Sequence, residues 1–99
     1  MKYTVRFSPE AREDVGKLLE YLVPRAGEAI SRAYIGRLRA FCEGFETFPK
    51  RGTVRTDHLP GLRVIGFERS ASVAFVVEDE SVIILRIFHG GQDIHFDDF

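Results

Sequence analysis

The sequence predicts an α+β fold in which a helical hairpin packs on an antiparallel β-sheet, with the element order β-α-α-β-β-β. Three observations lead to this prediction: an alternating segment at the start, two helical patterns with a short connector, and three segments rich in β-branched residues. Strands and helices grouped in this way are typical of an α+β sandwich. The length of 99 residues suits a single core, so we assign residues 1–99 to one domain.

The first strand and the first helix meet at a clear junction. Tyr3, Val5 and Phe7 alternate with polar residues, which is the period of a half-buried strand. Ser8 is a good N-cap, and Pro9 suits the first helical position because its missing N–H would have no partner there. The apolar residues that follow have helical spacing and form one stripe: Ala11, Val15, Leu18, Leu19 and Leu22.

A second helix begins near Glu28, because Pro24 and Gly27 are expected to end the first. Its apolar positions again fall on one face: Ile30, Tyr34, Leu38, Phe41, Cys42 and Phe45. The connector is short, so the two helices should pack as an antiparallel hairpin.

Three further strands are predicted at residues 62–68, 72–78 and 81–88. Their connections are short and polar, which favours antiparallel hairpins. The last two segments are almost continuous in Val, Ile, Leu and Phe, as expected for central strands that the helices cover. A polar loop is predicted between Gly52 and Pro60.

Composition and charge limit the classes of function. The net charge is −1, with ten Lys/Arg against seven Asp/Glu in residues 1–51 and four against eight in residues 52–99. A protein that mainly binds phosphates normally has a larger excess of basic over acidic residues. Residues 52–99 are therefore poorly suited to bind RNA. We expect neither a membrane span nor a signal peptide. The single cysteine, Cys42, is expected to lie in the core and is consistent with a reducing cytoplasm.

Two arginines lie inside segments that otherwise look buried. Arg63 and Arg86 each need a partner or a function there, because an unpaired buried charge is costly. One reading is structural, with each arginine bound to a carbonyl or to an acid such as Asp93. The other reading is a contact with an anion or a partner protein, and the residues alone leave both open.

Strand parity adds a constraint on these residues. In a regular strand Arg86 shares a face with Val82, Ile84 and Phe88, whereas His89 points to the other face. Arg86 and His89 would then not serve one small reaction centre, unless a bulge or a strand end intervenes.

The C-terminal residues invite a test for a metal site. The candidate ligands are His89, Asp93, His95, Asp97 and Asp98. Their spacing matches no familiar ligand pattern, so we predict neither a metal nor another cofactor.

Four segments in this order resemble the ParE branch of the RelE/ParE superfamily of type II toxins. They are Phe7-Ser8-Pro9-Glu10-Ala11 with Asp14-Val15, Phe48-Pro49-Lys50-Arg51-Gly52, Pro60-Gly61-Leu62-Arg63, and the stretch from Ile84 to Asp93. The resemblance extends over residues 3–93, and the fold expected from periodicity is the fold of that family.

This resemblance implies a bacterial, cytoplasmic toxin that stabilises a plasmid or inhibits growth by binding DNA gyrase. Its partner would be a ParD-like antitoxin that folds across the hairpin and the sheet. No membrane and no sequence-specific nucleic-acid binding by the toxin alone are expected. The expected target-binding residues are Arg63, Arg86, His89 and Asp93, and the expected antitoxin-binding residues are Val15, Leu19, Leu22, Tyr34 and Leu38.

Two alternatives stay open. RelE relatives cut mRNA on the ribosome, and Arg63, Arg86 and His89 would be the catalytic candidates in that case. No lysine follows Lys50, and the tail carries phenylalanines where a tyrosine could assist, so the sequence favours a non-catalytic toxin. The other alternative is an interaction module that retains antitoxin binding and no toxic target.

Overall fold

A computed structural model describes residues 2–56 and 59–90 of the chain. Its regular elements, in chain order, are β1 (Thr4–Phe7), α1 (Pro9–Ala26), α2 (Glu28–Glu43), a short 3₁₀ turn (Gly44–Glu46), β2 (Thr53–Val54), β3 (Arg63–Phe67), β4 (Ala71–Glu78) and β5 (Ser81–His89). The predicted order of elements is confirmed. The strand β2 lies within the segment that the sequence predicts as a loop.

The five strands form one sheet in the order β1-β5-β4-β3-β2. The pairs β2–β3, β3–β4 and β4–β5 are antiparallel, as predicted, and β4 and β5 are central. β1 lies parallel to β5, with Thr4 opposite Ser81 and Phe7 opposite Ile84. The α+β fold class is therefore confirmed. The sheet is mixed, because the helical hairpin carries the chain from β1 at one edge to β2 at the opposite edge, and β1 then pairs with β5 in parallel.

The start of α1 is bound to the sheet through its cap. The Ser8 hydroxyl accepts a hydrogen bond from the Ala11 N–H at 3.0 Å and donates one to the Leu85 carbonyl at 2.9 Å. The helix does not end at Pro24 but continues to Ala26. Pro24 lies within the last turn, and the helix ends at Gly27, whose φ of +86° favours glycine.

The main core lies between the helical hairpin and one face of the sheet. It combines apolar positions of both helices with alternate positions of the strands, and its fully buried members include Leu38, Cys42, Phe45, Phe75 and Ile84. Packing of the two helices on the sheet is what holds the N-terminal end of α1 against β5. In the part of the chain that the structure describes, neither helix is apolar enough over a sufficient length to cross a membrane.

A second apolar cluster lies on the opposite face of the sheet. Leu62, Ala74, Val76 and Phe88 are buried in it, and Val64 packs against them. The strand β2 approaches this region closely: a Cβ at Gly52 would collide with the Val64 carbonyl oxygen, and Gly52 has a φ of +76°. Glycine is therefore required at the entry to β2.

Candidate functional site

Arg86 is held by an acid on α1. Its Nε donates to Oδ2 of Asp14 at 2.8 Å and its Nη2 donates to Oδ1 at 3.1 Å, which is a bidentate ion pair. The N–H of Ile87 also donates to Oδ2 of Asp14, at 2.9 Å. The two side chains are 23% and 12% exposed, so water screens the pair only in part. Arg86 thus has an acid as a partner, as the structural reading expects, and that acid is Asp14.

A bulge in β5 changes the predicted orientation of the residues that follow. Phe75 pairs with Ile84 and Ala74 pairs with Arg86, so Leu85 is the extra residue of β5. The prediction that Arg86 shares a face with Val82 and Ile84 is therefore wrong, because it assumed a regular strand. Residues paired directly across antiparallel strands share a face, so Arg86 leaves β5 on the side of Ala74, and its guanidinium reaches Asp14 on α1.

Arg63 emerges on the other side of the sheet. It pairs with Phe75, a member of the core between helices and sheet, and its Nη1 donates to the Arg51 carbonyl at 3.3 Å. The Arg51 guanidinium lies 5.2 Å from the centre of the Phe45 ring and donates to the Phe48 carbonyl. Arg63 therefore fixes the loop before β2, and a structural role accounts for its position.

His89 lies at the end of β5 on the helix side. It pairs with the core residue Ala71, and its ring contacts those of Tyr21 and Tyr34 edge-on, with centroids 5.2 and 6.3 Å apart. Burial lowers the pKa of His89, because the apolar surroundings disfavour the charged ring. The neutral imidazole is therefore favoured, and Tyr34 is itself held by a 2.8 Å hydrogen bond to Ser70.

A cavity of about 410 Å³ adjoins His89 between α1 and the end of β5. Its lining combines one acid, one lysine and apolar or aromatic groups: Asp14, Lys17, Leu18, Tyr21, Ile87, His89 and Gly90. Asp14 is bound to Arg86, and Lys17 pairs with Glu13 at 2.9 Å, which raises the lysine pKa. The two charged side chains that line this cavity, Asp14 and Lys17, thus both have ion-pair partners within the protein.

The structure separates the three groups that a nuclease of this sequence would need. Arg63 lies on β3, two strands away from Arg86 and His89 on β5, and the side chains of Arg86 and His89 leave β5 on opposite faces. The prediction that Arg86 and His89 point to different faces holds, although the bulge reverses which face each one takes. A concerted acid–base step on one phosphate would need these groups to converge.

The predicted site residue Asp93 lies outside the described residues, as do His95, Asp97 and Asp98. Within residues 2–56 and 59–90, no group of three or more His, Cys, Asp or Glu side chains is placed to hold a metal ion. Cys42 is buried in the core, and desolvation raises its pKa to about 12, so its thiol stays protonated.

The predicted antitoxin-binding residues differ in how far a partner can reach them. Leu19, Leu22 and Tyr34 are partly buried and pack against the core from the hairpin. Val15 is 5% exposed, and Leu38 is fully buried. The antitoxin contacts of all five stay a prediction, and we expect Leu38 to act from within, by supporting the hairpin.

The sequence reading missed two features of this region. Asp14, quoted there only as part of a motif, is the partner of Arg86, 72 residues away. The arginines Arg12, Arg32 and Arg39 line two adjoining depressions of about 290 Å³ each on the outside of the hairpin. The spacing of Arg32 and Arg39 on α2 was the signal that could have placed these two on one surface.

The family model that matches this chain and the solved structures that resemble it agree with each other. Residues 5–94 match the model of the ParE toxin of the type II toxin–antitoxin system parDE. No curated protein sequence matches the chain.

Similar solved structures include the chromosomal ParDE toxin–antitoxin system of P. aeruginosa, with a TM-score of 0.77 and 20% identity over 90% of this chain and 97% of that one. The RelBE2 toxin–antitoxin complex of Mycobacterium tuberculosis has a TM-score of 0.69 and 27% identity, over 93% of this chain and 95% of that one. A conserved hypothetical protein of Helicobacter pylori shares the fold with a TM-score of 0.54 and 18% identity, over 90% and 94% of the two chains. The family match covers most of the sequence, and the chain belongs to the ParE toxins of type II toxin–antitoxin systems, within the RelE/ParE superfamily.

Proposed function

We propose that this toxin poisons DNA gyrase by binding it, without catalysing a reaction, and that a ParD-like antitoxin neutralises it. The single observation that carries the proposal is that Arg63 lies two strands away from Arg86 and His89 and binds the Arg51 carbonyl. The similarity to the ParDE toxin–antitoxin system adds support for an antitoxin as the partner.

A catalytic role would require groups that this structure uses elsewhere. RNA cleavage needs a base, an acid and cations that converge on one phosphate. Arg86 is engaged with Asp14, Arg63 with the Arg51 carbonyl, and His89 packs between tyrosine rings. These contacts support a mechanism in which the arginines stabilise a docking surface.

In this proposal two residues hold the docking surface in place and two others contact the target. Arg86 and Arg63 act as positioning residues, which hold the end of β5 and the loop before β2. His89, at the end of β5, remains a proposed contact. Asp93 remains one as well, although it lies outside the described residues. Replacing Arg86 should then weaken gyrase poisoning mainly by displacing that end of the strand.

A second candidate is a RelE-like, ribosome-dependent mRNA endoribonuclease. The observation in its favour is the 27% identity to the RelBE2 complex over 93% of the chain. In that case Arg63, Arg86 and His89 would be the catalytic groups, and they would have to approach one another on the ribosome.

Parallel assays on the two targets discriminate between these functions. Purified toxin is added to gyrase with relaxed plasmid, where linear DNA reports trapped cleavage complexes, and to translating ribosomes, where primer extension reports cut mRNA. The gyrase proposal expects linear DNA and intact mRNA. Cut mRNA that disappears in an Arg63→Ala/Arg86→Ala variant of unchanged fold would establish the nuclease instead.

A further inference from the structure

The cavity of about 410 Å³ beside His89, which we call the α1–β5 cavity, lies where β5 loses its neighbouring strand. β1 pairs with β5 only as far as Ile84. Among the residues that the structure describes, no strand follows β1 along this edge, and α1 lies there instead. The Ile87 N–H points to this edge and binds Asp14, and the Ile87 carbonyl points the same way. An extended segment of another protein can therefore lie along this edge, as in strand addition to a sheet.

The walls of the α1–β5 cavity are apolar and aromatic. Leu18 and Ile87 line it and also belong to the main core. The rings of Tyr21 and His89 meet edge-on, with centroids 5.2 Å apart. Aromatic rings that meet in this way pack favourably against a further ring. The volume lies within the range of known ligand sites, so the cavity can take a large apolar side chain.

The groups around the cavity are ordered by contacts within the protein. The Arg25 guanidinium lies 3.8 Å from the centre of the Tyr21 ring and donates to the Tyr21 carbonyl at 2.6 Å. Asp14 is held by Arg86 and by the Ile87 N–H. Tyr21 is nevertheless 47% exposed, so a partner can still cover it. A pre-ordered aromatic site loses little conformational entropy on binding, which is typical of residues that dominate the affinity of an interface.

The charge that a partner meets at this cavity is positive. Asp14 accepts three hydrogen bonds, so its charge is compensated within the protein. Lys17 lines the cavity, and its ion pair with Glu13 joins side chains that are 69% and 65% exposed. An exposed pair of this kind contributes little to stability and exchanges easily. Together with Arg25 at the Tyr21 ring, Lys17 therefore favours a carboxylate beside the apolar side chain.

We propose that the α1–β5 cavity binds an aromatic side chain of the toxin's target, held in an extended segment that carries a carboxylate next to the ring. The segment lies along β5 beyond Ile84, the ring enters between Leu18 and Ile87, and the carboxylate pairs with Lys17. A nucleic acid fits this site poorly, because one lysine and one arginine do not compensate a run of phosphates. The inference rests on the proposed function in taking gyrase as the target.

The first experiment uses the full-length toxin and a small probe that has both chemical features. The toxin is titrated with 3-phenylpropionate, and its backbone amides are followed by NMR. The matched control is 3-phenylpropanamide, which has the same shape and no charge. The carboxylate should bind with a Kd on the order of 1 mM, shift the amides of Leu18 and Ile87, and bind at least about fivefold more tightly than the amide. No shift at these amides, or equal binding of the two probes, would overturn the proposal.

Two variants separate the charge from the aromatic wall. Lys17→Gln should remove the preference for the carboxylate and leave amide binding unchanged, whereas Lys50→Gln, in the exposed loop before β2, should change neither. Tyr21→Ser should weaken both probes at least about tenfold, and its melting temperature and NMR spectrum show whether the fold is retained. Equal effects of the two lysine variants, or full binding by folded Tyr21→Ser, would contradict the site.

The occupant is identified by two further measurements. Binding of the probe only to the full-length variant Ile94→Ser/Phe96→Ser would assign the cavity to the C-terminal residues of this chain and overturn the proposal. In the gyrase assay, Tyr21→Ser should need at least about tenfold more protein for the same amount of linear DNA. Unchanged poisoning by this variant would show that the cavity is not a target contact. If the original toxin leaves gyrase untouched, the proposed function fails, whereas probe binding would still support the ligand chemistry of the cavity.

Discussion

Asp14 and Arg86 join the first helix to the last strand by two parallel hydrogen bonds of 2.8 and 3.1 Å between side chains. The same carboxylate accepts the N–H of Ile87, directly after the bulge in β5. β1 ends at Phe7, opposite Ile84, so beyond that point α1 takes the place of a neighbouring strand. One acid thereby fixes the part of β5 that carries His89.

Removing this acid should be strongly destabilising. Asp14→Ala leaves a partly buried guanidinium without its carboxylate, and we expect a loss of about 2–3 kcal/mol in the free energy of unfolding. Asp14→Asn keeps an acceptor for the Ile87 N–H and should lose less. Urea unfolding of both variants, and of Arg86→Ala with the double variant, gives the coupling free energy. A coupling near zero would contradict the structural role of the pair.

The cap of α1 gives a second prediction. Ser8→Ala removes both the cap to Ala11 and the bond to the Leu85 carbonyl, and should cost about 1–2 kcal/mol of unfolding free energy. Ser8→Thr retains a hydroxyl and should stay close to the original protein. Ser8→Asp is the informative control, because it keeps the cap and cannot donate to Leu85. If Ser8→Asp is as stable as the original, the link to the sheet contributes nothing.

Protonation of His89 should destabilise the fold. Burial lowers its pKa, and the Tyr21 and Tyr34 rings that face it offer no full charge, while Asp14 and Lys17, on the same cavity, are paired. The unfolded histidine takes up a proton below about pH 6.5, before the folded one does. The stabilisation is therefore complete above about pH 6.5 and is lost as the pH falls towards the folded pKa.

Urea unfolding at about pH 7.5 and about pH 5.5 measures whether the free energy of unfolding falls with pH as predicted. The original protein should lose more stability between these values than His89→Gln, whose side chain does not titrate. The other titrating groups are common to both proteins, so the difference isolates His89. An equal loss in the two proteins would refute the prediction.

The thiol of Cys42 should report on opening of the core. A pKa raised to about 12 leaves roughly a thousandfold less thiolate than a free cysteine has near neutral pH, and burial blocks access as well. Iodoacetamide should therefore label the protein in urea and hardly at all without it, as followed by mass spectrometry. Rapid labelling of the native protein would place Cys42 outside the core.

The elements of this fold are predictable where the signal is local. Ser8 and Pro9 mark the start of α1, and Gly27 marks its end because a positive φ suits glycine. Pro24 is misleading, because α1 continues past it to Ala26. The pairing of β1 with β5 has no local signal, because 77 residues separate the partners and either edge of the sheet could have accepted β1.

The candidate site is harder to predict for the same reason. Ile83, Ile84 and Leu85 are all apolar, so the alternation that would reveal the bulge at Leu85 is missing. The need for an acid near Arg86 follows from the cost of a buried charge, but the choice of Asp14 depends on how α1 crosses β5. The burial of Arg86 could be anticipated from the sequence, but its partner Asp14 could not.

The central claim is that this ParE-family toxin acts by binding gyrase, and a titration tests it most directly. Increasing amounts of the purified toxin are added to a fixed amount of gyrase and plasmid, and the linear DNA released from trapped cleavage complexes is measured. The account predicts that linear DNA rises with the toxin-to-gyrase ratio, reaches a plateau once the gyrase is occupied, and disappears when the antitoxin is added. Normal supercoiling with no linear DNA at a large excess of toxin would contradict it.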